Sequence, residues 1–122
     1  MANLNMSGPY EFVDTEMQAK VRDDKIGNYA LGYESDNGSF LVKYVGRSDT
    51  DLRRRLIEHY NNEETYELFK FKYAKSVEDA VIEECRNYHD FGESKRLDNE
   101  RHPDRPDGKK YLPCPYCDIF DD

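Results

Sequence analysis

A small α+β domain, in which a three-stranded antiparallel sheet is flanked by helices, is the architecture this chain's patterning predicts. Three observations carry it. Two alternating runs meet at a turn cluster, two Ser-x-x-Asp capping boxes open amphipathic segments, and a third alternating run lies between those segments. At 122 residues the chain supplies one modest core. The expected organisation is a lead-in over 1–26, a core over 27–91 and an irregular tail over 92–122.

The lead-in carries little pattern. Gly8-Pro9 reads as a breaker, and residues 13–21 read as one or two helical turns or an extended segment. The first clear element is a hairpin. Tyr29 to Tyr33 alternate large and small, while Phe40, Val42 and Tyr44 fall on one face of the next run and Leu41, Lys43 and Val45 on the other. Ser35-Asp36-Asn37-Gly38 is the turn. Symmetric closure places Tyr33 opposite Phe40 and Tyr29 opposite Tyr44, so that two phenols share a face.

After Gly46, the box Ser48-Asp49-Thr50-Asp51 predicts a helix to about residue 60. Arg55 and His59 stand four residues apart on it, hence on one side. Asn61-Asn62 makes a loop. The third strand follows over 67–74, with Phe69, Phe71 and Tyr73 alternating with Leu68, Lys70 and Lys72, a half-buried pattern with a basic outer face.

Ser76-Val77-Glu78-Asp79 opens a second helix, to about residue 90, with the buried stripe Val77, Val81, Cys85 and Tyr88 and Ala80 on its flank. Glu84 falls on that stripe. Two readings stand for it: a boundary residue paired with an arginine, or a metal ligand held on a rigid helix.

Charge argues against a generally nucleic-acid-binding surface, because the net charge is −8. Its distribution is uneven. Residues 1–75 carry 11 basic and 13 acidic side chains, against 7 and 13 in 76–122. Between Lys43 and Tyr60 the basic residues Lys43, Arg47, Arg53, Arg54 and Arg55 outnumber Asp49, Asp51 and Glu58. Such a patch can engage phosphate with salt-dependent affinity. No apolar run approaches the ~20 residues of a membrane span, and the polar opening lacks a secretory pattern, so a cytoplasmic location without membrane contact is expected.

The tail has turn chemistry from Asn99 to Gly108 and a Cys114-Pro-Tyr-Cys117 tetrapeptide close to its end. With so little chain after it, the tetrapeptide lacks the helix that a redox motif needs. Cys114 and Cys117 have zinc spacing, with His102 and either Cys85 or His89 as completing ligands. The other reading is a pair of reduced cysteines.

Taken together, Gly27-Asn28-Tyr29, Tyr44-Val45-Gly46, the Leu52-Arg55-His59 spacing behind it, and Ala80 with Glu84 on the later helix resemble the GIY-YIG nuclease domain. The resemblance covers about residues 27–90 and extends loosely to Asn99. Asn28 departs from the aliphatic residue usual in the family, and the separation of the two tyrosines is long.

The resemblance implies a metal-dependent endonuclease acting on DNA, with branched or damaged DNA as candidate substrates. Glu84 would hold Mg²⁺ or Mn²⁺, an ion that needs only one or two carboxylates. Arg55 would clamp phosphate oxygens, Tyr29 would act as base or orient water, and Tyr44 would assist it. His59 would contact phosphate or relay protons, and Asn99 would match the family's late asparagine. Lys43, Arg47, Arg53 and Arg54 are the expected nucleic-acid contacts. Specificity in such domains comes from attached modules, which implies a protein partner or a dimer here, although a monomer fits equally. Two other readings remain: a non-catalytic nucleic-acid or protein-binding module on the same fold, and a zinc-stabilised adaptor.

Overall fold

The computed structural model describes residues 6–62, 65–91 and 97–98. Along the chain run β1 (Ser7–Glu11), α1 (Asp14–Lys20), β2 (Gly27–Glu34), β3 (Phe40–Ser48), α2 (Leu52–Asn61), β4 (Leu68–Tyr73) and α3 (Val77–Asp90). The sheet has four antiparallel strands in the order β1-β4-β2-β3, one more than the sequence pattern indicated. The added strand is β1, from the segment read as a lead-in. Gly8-Pro9 does not break it, because β1 is an edge strand where a missing N–H costs no ladder bond, and the register shifts between Ser7 and Tyr10.

Alternation along β2, buried from Gly27 to Gly32, sends side chains to two layers. On one side Tyr29, Leu31, Phe69 and Phe71 pack with Leu52 and Leu56 of α2 and with Met17 and Val21 around α1. On the other, Ala30 and Val45 pack with Tyr88 of α3 and with Leu97. The backbone N–H of Asp98 donates to the Lys43 carbonyl, which holds Leu97 against this second layer.

The hairpin register differs from symmetric closure. Tyr29 stands opposite Gly46, Leu31 opposite Tyr44, Tyr33 opposite Leu41 and Glu34 opposite Phe40. A bulge explains the offset: Leu31 pairs with Tyr44 but Gly32 pairs with Val42, leaving Lys43 as the extra residue. Gly32 makes this approach feasible, since a Cβ there would lie 1.9 Å from the Leu41 carbonyl oxygen. The bulge also changes the phase of β3. Phe40 and Val42 lie on the α3 side with Val45, while Tyr44 packs on the α2 side, so the three do not share the face that simple alternation assigned them.

Helices α2 and α3 start from side-chain caps, whereas α1 has none. Asp51, not Ser48, caps α2 by accepting from the Arg54 N–H, while the Ser48 hydroxyl accepts from the Thr50 and Asp51 N–H groups one turn earlier. Ser76 caps α3 through the Asp79 N–H as its box predicts. Facing α3 is a row of one residue from each of three strands, Lys72, Asn28 and Arg47. Each holds the helix. Lys72 Nζ lies 3.7 Å from Glu83 Oε2, Asn28 Nδ2 donates to the Ala80 carbonyl at 2.9 Å, and Arg47 Nη1 binds Glu84 Oε1.

Candidate active site

The site is built from adjacent positions that point to opposite layers. On β2, Asn28 faces α3 and Tyr29 faces α2. Tyr29 is fully buried at 1% exposure, and its phenol oxygen lies 2.6 Å from His59 Nε2. Its ring stacks against Tyr44 at 6.3 Å between centroids, and both rings meet His59 edge-on, at 5.3 and 5.2 Å. Tyr29 and Tyr44 thus share a face as expected, diagonally rather than directly opposite. Gly46 supplies the room: a Cβ there would stand 2.4 Å from Tyr29 Oη.

Helix periodicity brings Arg55 to the same pocket as His59. The Arg55 guanidinium is within hydrogen-bonding reach of Tyr29, and Nη1 also meets Glu58 Oε1 at 3.4 Å. Burial alone would lower the Arg55 pKa, but Tyr29, Tyr44 and Glu58 outweigh it, so the cation is held. The phenol behaves oppositely. Burial pushes the Tyr29 pKa well above its ordinary value; Tyr44 adds to this, Arg55 opposes it and the Glu84 charge raises it further. The phenol oxygen and His59 Nε2 share one hydrogen bond whose direction follows the His59 tautomer: Tyr29 donates where Nδ1 carries the ring proton and accepts where Nε2 carries it.

Glu84 is 8% exposed and faces protein rather than bulk water. Its charge is felt by Tyr29, yet its Oε1 binds Arg47, which also places Nε 2.9 Å from Asp49 Oδ1. This is the arginine-paired arrangement weighed as one of its two readings. Burial opposes the Arg47 charge, and Glu84 and Asp49 more than offset it, so the Arg47 pKa is raised. Arg47, expected to contact nucleic acid, therefore points at two carboxylates with a side chain only 11% exposed.

The other expected contacts separate. Arg53 donates from Nε to the Val21 carbonyl, Arg54 is exposed, and Lys43 occupies the bulge. Asn99, His102, Cys114 and Cys117 lie outside the described residues. Cys85 is buried and forms no disulfide with a described residue, and among the described residues no cluster of three or more His, Cys, Asp or Glu could hold a metal. Two residues escaped sequence reasoning. Asn28 stood out only as a polar residue in an otherwise apolar strand, and Asn87 is fully buried on α3 with both amide atoms lacking a hydrogen-bond partner among the described residues. No helix among the described residues is long and apolar enough to cross a membrane.

The arrangement can hold a phosphate against Arg55 and move a proton along Tyr29 and His59. No family model, curated protein or solved structure matches this chain.

Proposed function

We propose that this chain is a GIY-YIG-type, metal-dependent endonuclease that hydrolyses phosphodiester bonds in DNA, with branched or damaged DNA as its substrate class. The observation that carries the reading is the Tyr29, Tyr44, Arg55 and His59 cluster, assembled from three elements around one buried phenol. A packing role alone would not call for a guanidinium and an imidazole on the same hydroxyl.

The raised pKa of Tyr29 sets the proton path. A phenol held above its usual value of about 10 is a poor independent base at neutral pH. Coupled to His59 it needs no stable phenolate: the attacking water gives its proton to Tyr29 Oη while the phenol proton passes to His59 Nε2. The water oxygen bonds to phosphorus as the bond to the leaving oxygen breaks, and that oxygen takes a proton from solvent. Arg55 neutralises the non-bridging oxygens.

The resemblance implies Mg²⁺ or Mn²⁺. A carboxylate oxygen of Glu84 is a donor of the right chemistry for such an ion, which keeps most of its waters and so does not require a cluster of protein ligands. Glu84 would hold it in competition with Arg47. When bound it supplies Lewis acidity to the phosphate and a lowered pKa to its water. The reading is tested by Glu84→Gln, which keeps an acceptor for Arg47 while removing the charge; cleavage at the parent rate would refute the assignment.

The second reading is a non-catalytic binding module of the same fold, which would recognise nucleic acid or a protein partner. The Arg47 pairing of Glu84 favours it, because that guanidinium neutralises the acid the chemistry needs. Binding to DNA without nicking in Mg²⁺ or Mn²⁺ would select it. The zinc-stabilised adaptor depends on His102, Cys114 and Cys117, and stoichiometric zinc in the purified protein would favour it.

A further inference from the structure

Away from the tyrosine pocket, two clefts share Lys20 and Arg22 and run together across the end of α1, the loop after it and the neighbouring strands β1 and β4. Together they are lined by Lys20, Arg22, Lys25, Arg53 and Lys72 against the single acid Asp23. On a chain of net charge −8 this local excess of cations stands out. Lys72 faces α3 and shares its charge with Glu83, which leaves Lys20, Arg22, Lys25 and Arg53 as the cations of the cleft, against Asp23 and its exposed neighbour Asp24.

Aromatic rings stand among these cations. Tyr10 lies 5.9 Å from Phe71, and Phe71 lies 5.4 Å edge-on from Tyr73, so the three rings form a ladder along one cleft. Lys20 Nζ sits 5.6 Å from the Tyr10 ring, and Tyr73 is 38% exposed. The Arg22 N–H donates to the Tyr73 hydroxyl, tying the basic loop to the ladder. Cations that track phosphates, beside the exposed Tyr73 ring and the half-buried Tyr10 ring, suit single-stranded nucleic acid; bases stacked inside a duplex would not reach the rings.

We propose that this joined cleft binds a single strand of nucleic acid, with Lys20, Arg22 and Lys25 on successive phosphates and Tyr10 and Tyr73 beneath unstacked bases. It abuts the tyrosine pocket. Phe71 pairs with Tyr29 across the sheet, and α2 carries Arg53 to the cleft and Arg55 to the pocket. The proposal deepens the nuclease reading by giving the track of a strand that leaves the reactive centre. It predicts a preference for flapped or gapped substrates over continuous duplex.

The test is fluorescence anisotropy with the full chain in EDTA, so that binding is read without hydrolysis and its failure is separate from failure of the nuclease reading. The probes are a labelled oligothymidylate of about 15 nucleotides, the matching ribonucleotide and a blunt duplex. The parent is expected to bind both single strands more tightly than the duplex. Replacing Lys20, Arg22 and Lys25 together by Gln should weaken single-strand binding at least about tenfold and flatten the log-affinity against log-salt slope by about 2. Tyr10→Leu should weaken the single strands and leave the duplex unchanged. If the triple variant loses its far-UV circular dichroism, the single variants Lys20→Gln and Arg22→Gln each carry the test, with an expected slope change of about 0.7. Equal binding of duplex and single strand, or folded variants that bind like the parent, would overturn the proposal.

Discussion

Replacing Asn28 by Asp changes one hydrogen-bond donor into an acid without altering shape, in a position 1% exposed. The parent amide donates to the Ala80 carbonyl, one helical turn before Glu84. A protonated carboxyl can make the same bond, so Asn28→Asp should cost no more than about 1 kcal/mol in acid. Ionisation turns lone pairs toward that carbonyl inside the protein. Fully buried acids rise by 3–5 pKa units, but Arg47 and Lys72 flank this position in the strand row and oppose the rise, so about 2 units is a reasonable working value. At about 1.4 kcal/mol per unit, the variant loses about 3 kcal/mol. The sign is fixed by linkage. A raised folded-state pKa means the native state holds the extra proton, so stability is retained below the unfolded value of about 4 and lost as pH rises to about 6. Urea unfolding of parent and variant from about pH 4 to about pH 8 measures the difference. A pH-independent difference, or a variant as stable as the parent at the alkaline end, would refute the claim that this bond anchors α3.

Gly46→Ala places a Cβ 2.4 Å from the Tyr29 hydroxyl, and the overpacking should cost about 1–3 kcal/mol in thermal unfolding and alter the near-UV tyrosine signal; an unchanged Tm would contradict the register described. Tyr29→Phe removes the phenol whose pKa burial raises. Because the folded state keeps that proton longer than the unfolded chain, the parent should lose stability as pH rises above about 10 and the variant should lose less, as followed by denaturant midpoints; identical alkaline slopes would show that Tyr29 titrates freely. Arg55→Ala should lower kcat/KM for DNA cleavage by about 10²-fold, on the order of 3 kcal/mol of transition-state stabilisation, and an effect confined to KM would make Arg55 a binding residue only.

Local patterns revealed the elements better than their registration. Ser76 capped α3 where the box said it would, and Val81, Cys85 and Tyr88 of the expected stripe are buried with Ala80 and Glu84, because both signals act within a few turns of one helix; Val77, in the first turn, is only half-buried. Tyr29 and Tyr44 were placed on one face although their pairing was offset. The offset comes from a bulge at Lys43, and its only local sign was Gly32, which is equally at home in an ordinary strand. β1 was invisible for a different reason. Its pattern is short and exposed, and its partner β4 lies far along the chain, so tertiary contact rather than local preference makes it a strand. The Arg47 and Glu84 pair was foreseen as a type of interaction but not as this pair. It requires the end of β3 and the middle of α3 to be adjacent, which spacing within either element does not encode.

The decisive measurement is nicking of supercoiled, flapped and junction DNA by the parent and Glu84→Gln, each in Mg²⁺ and in Mn²⁺. The proposed chemistry predicts metal-dependent cleavage by the parent on at least one substrate, and its disappearance in Glu84→Gln while the fold persists. Uncut DNA throughout, or cleavage by Glu84→Gln at the parent rate, would contradict it.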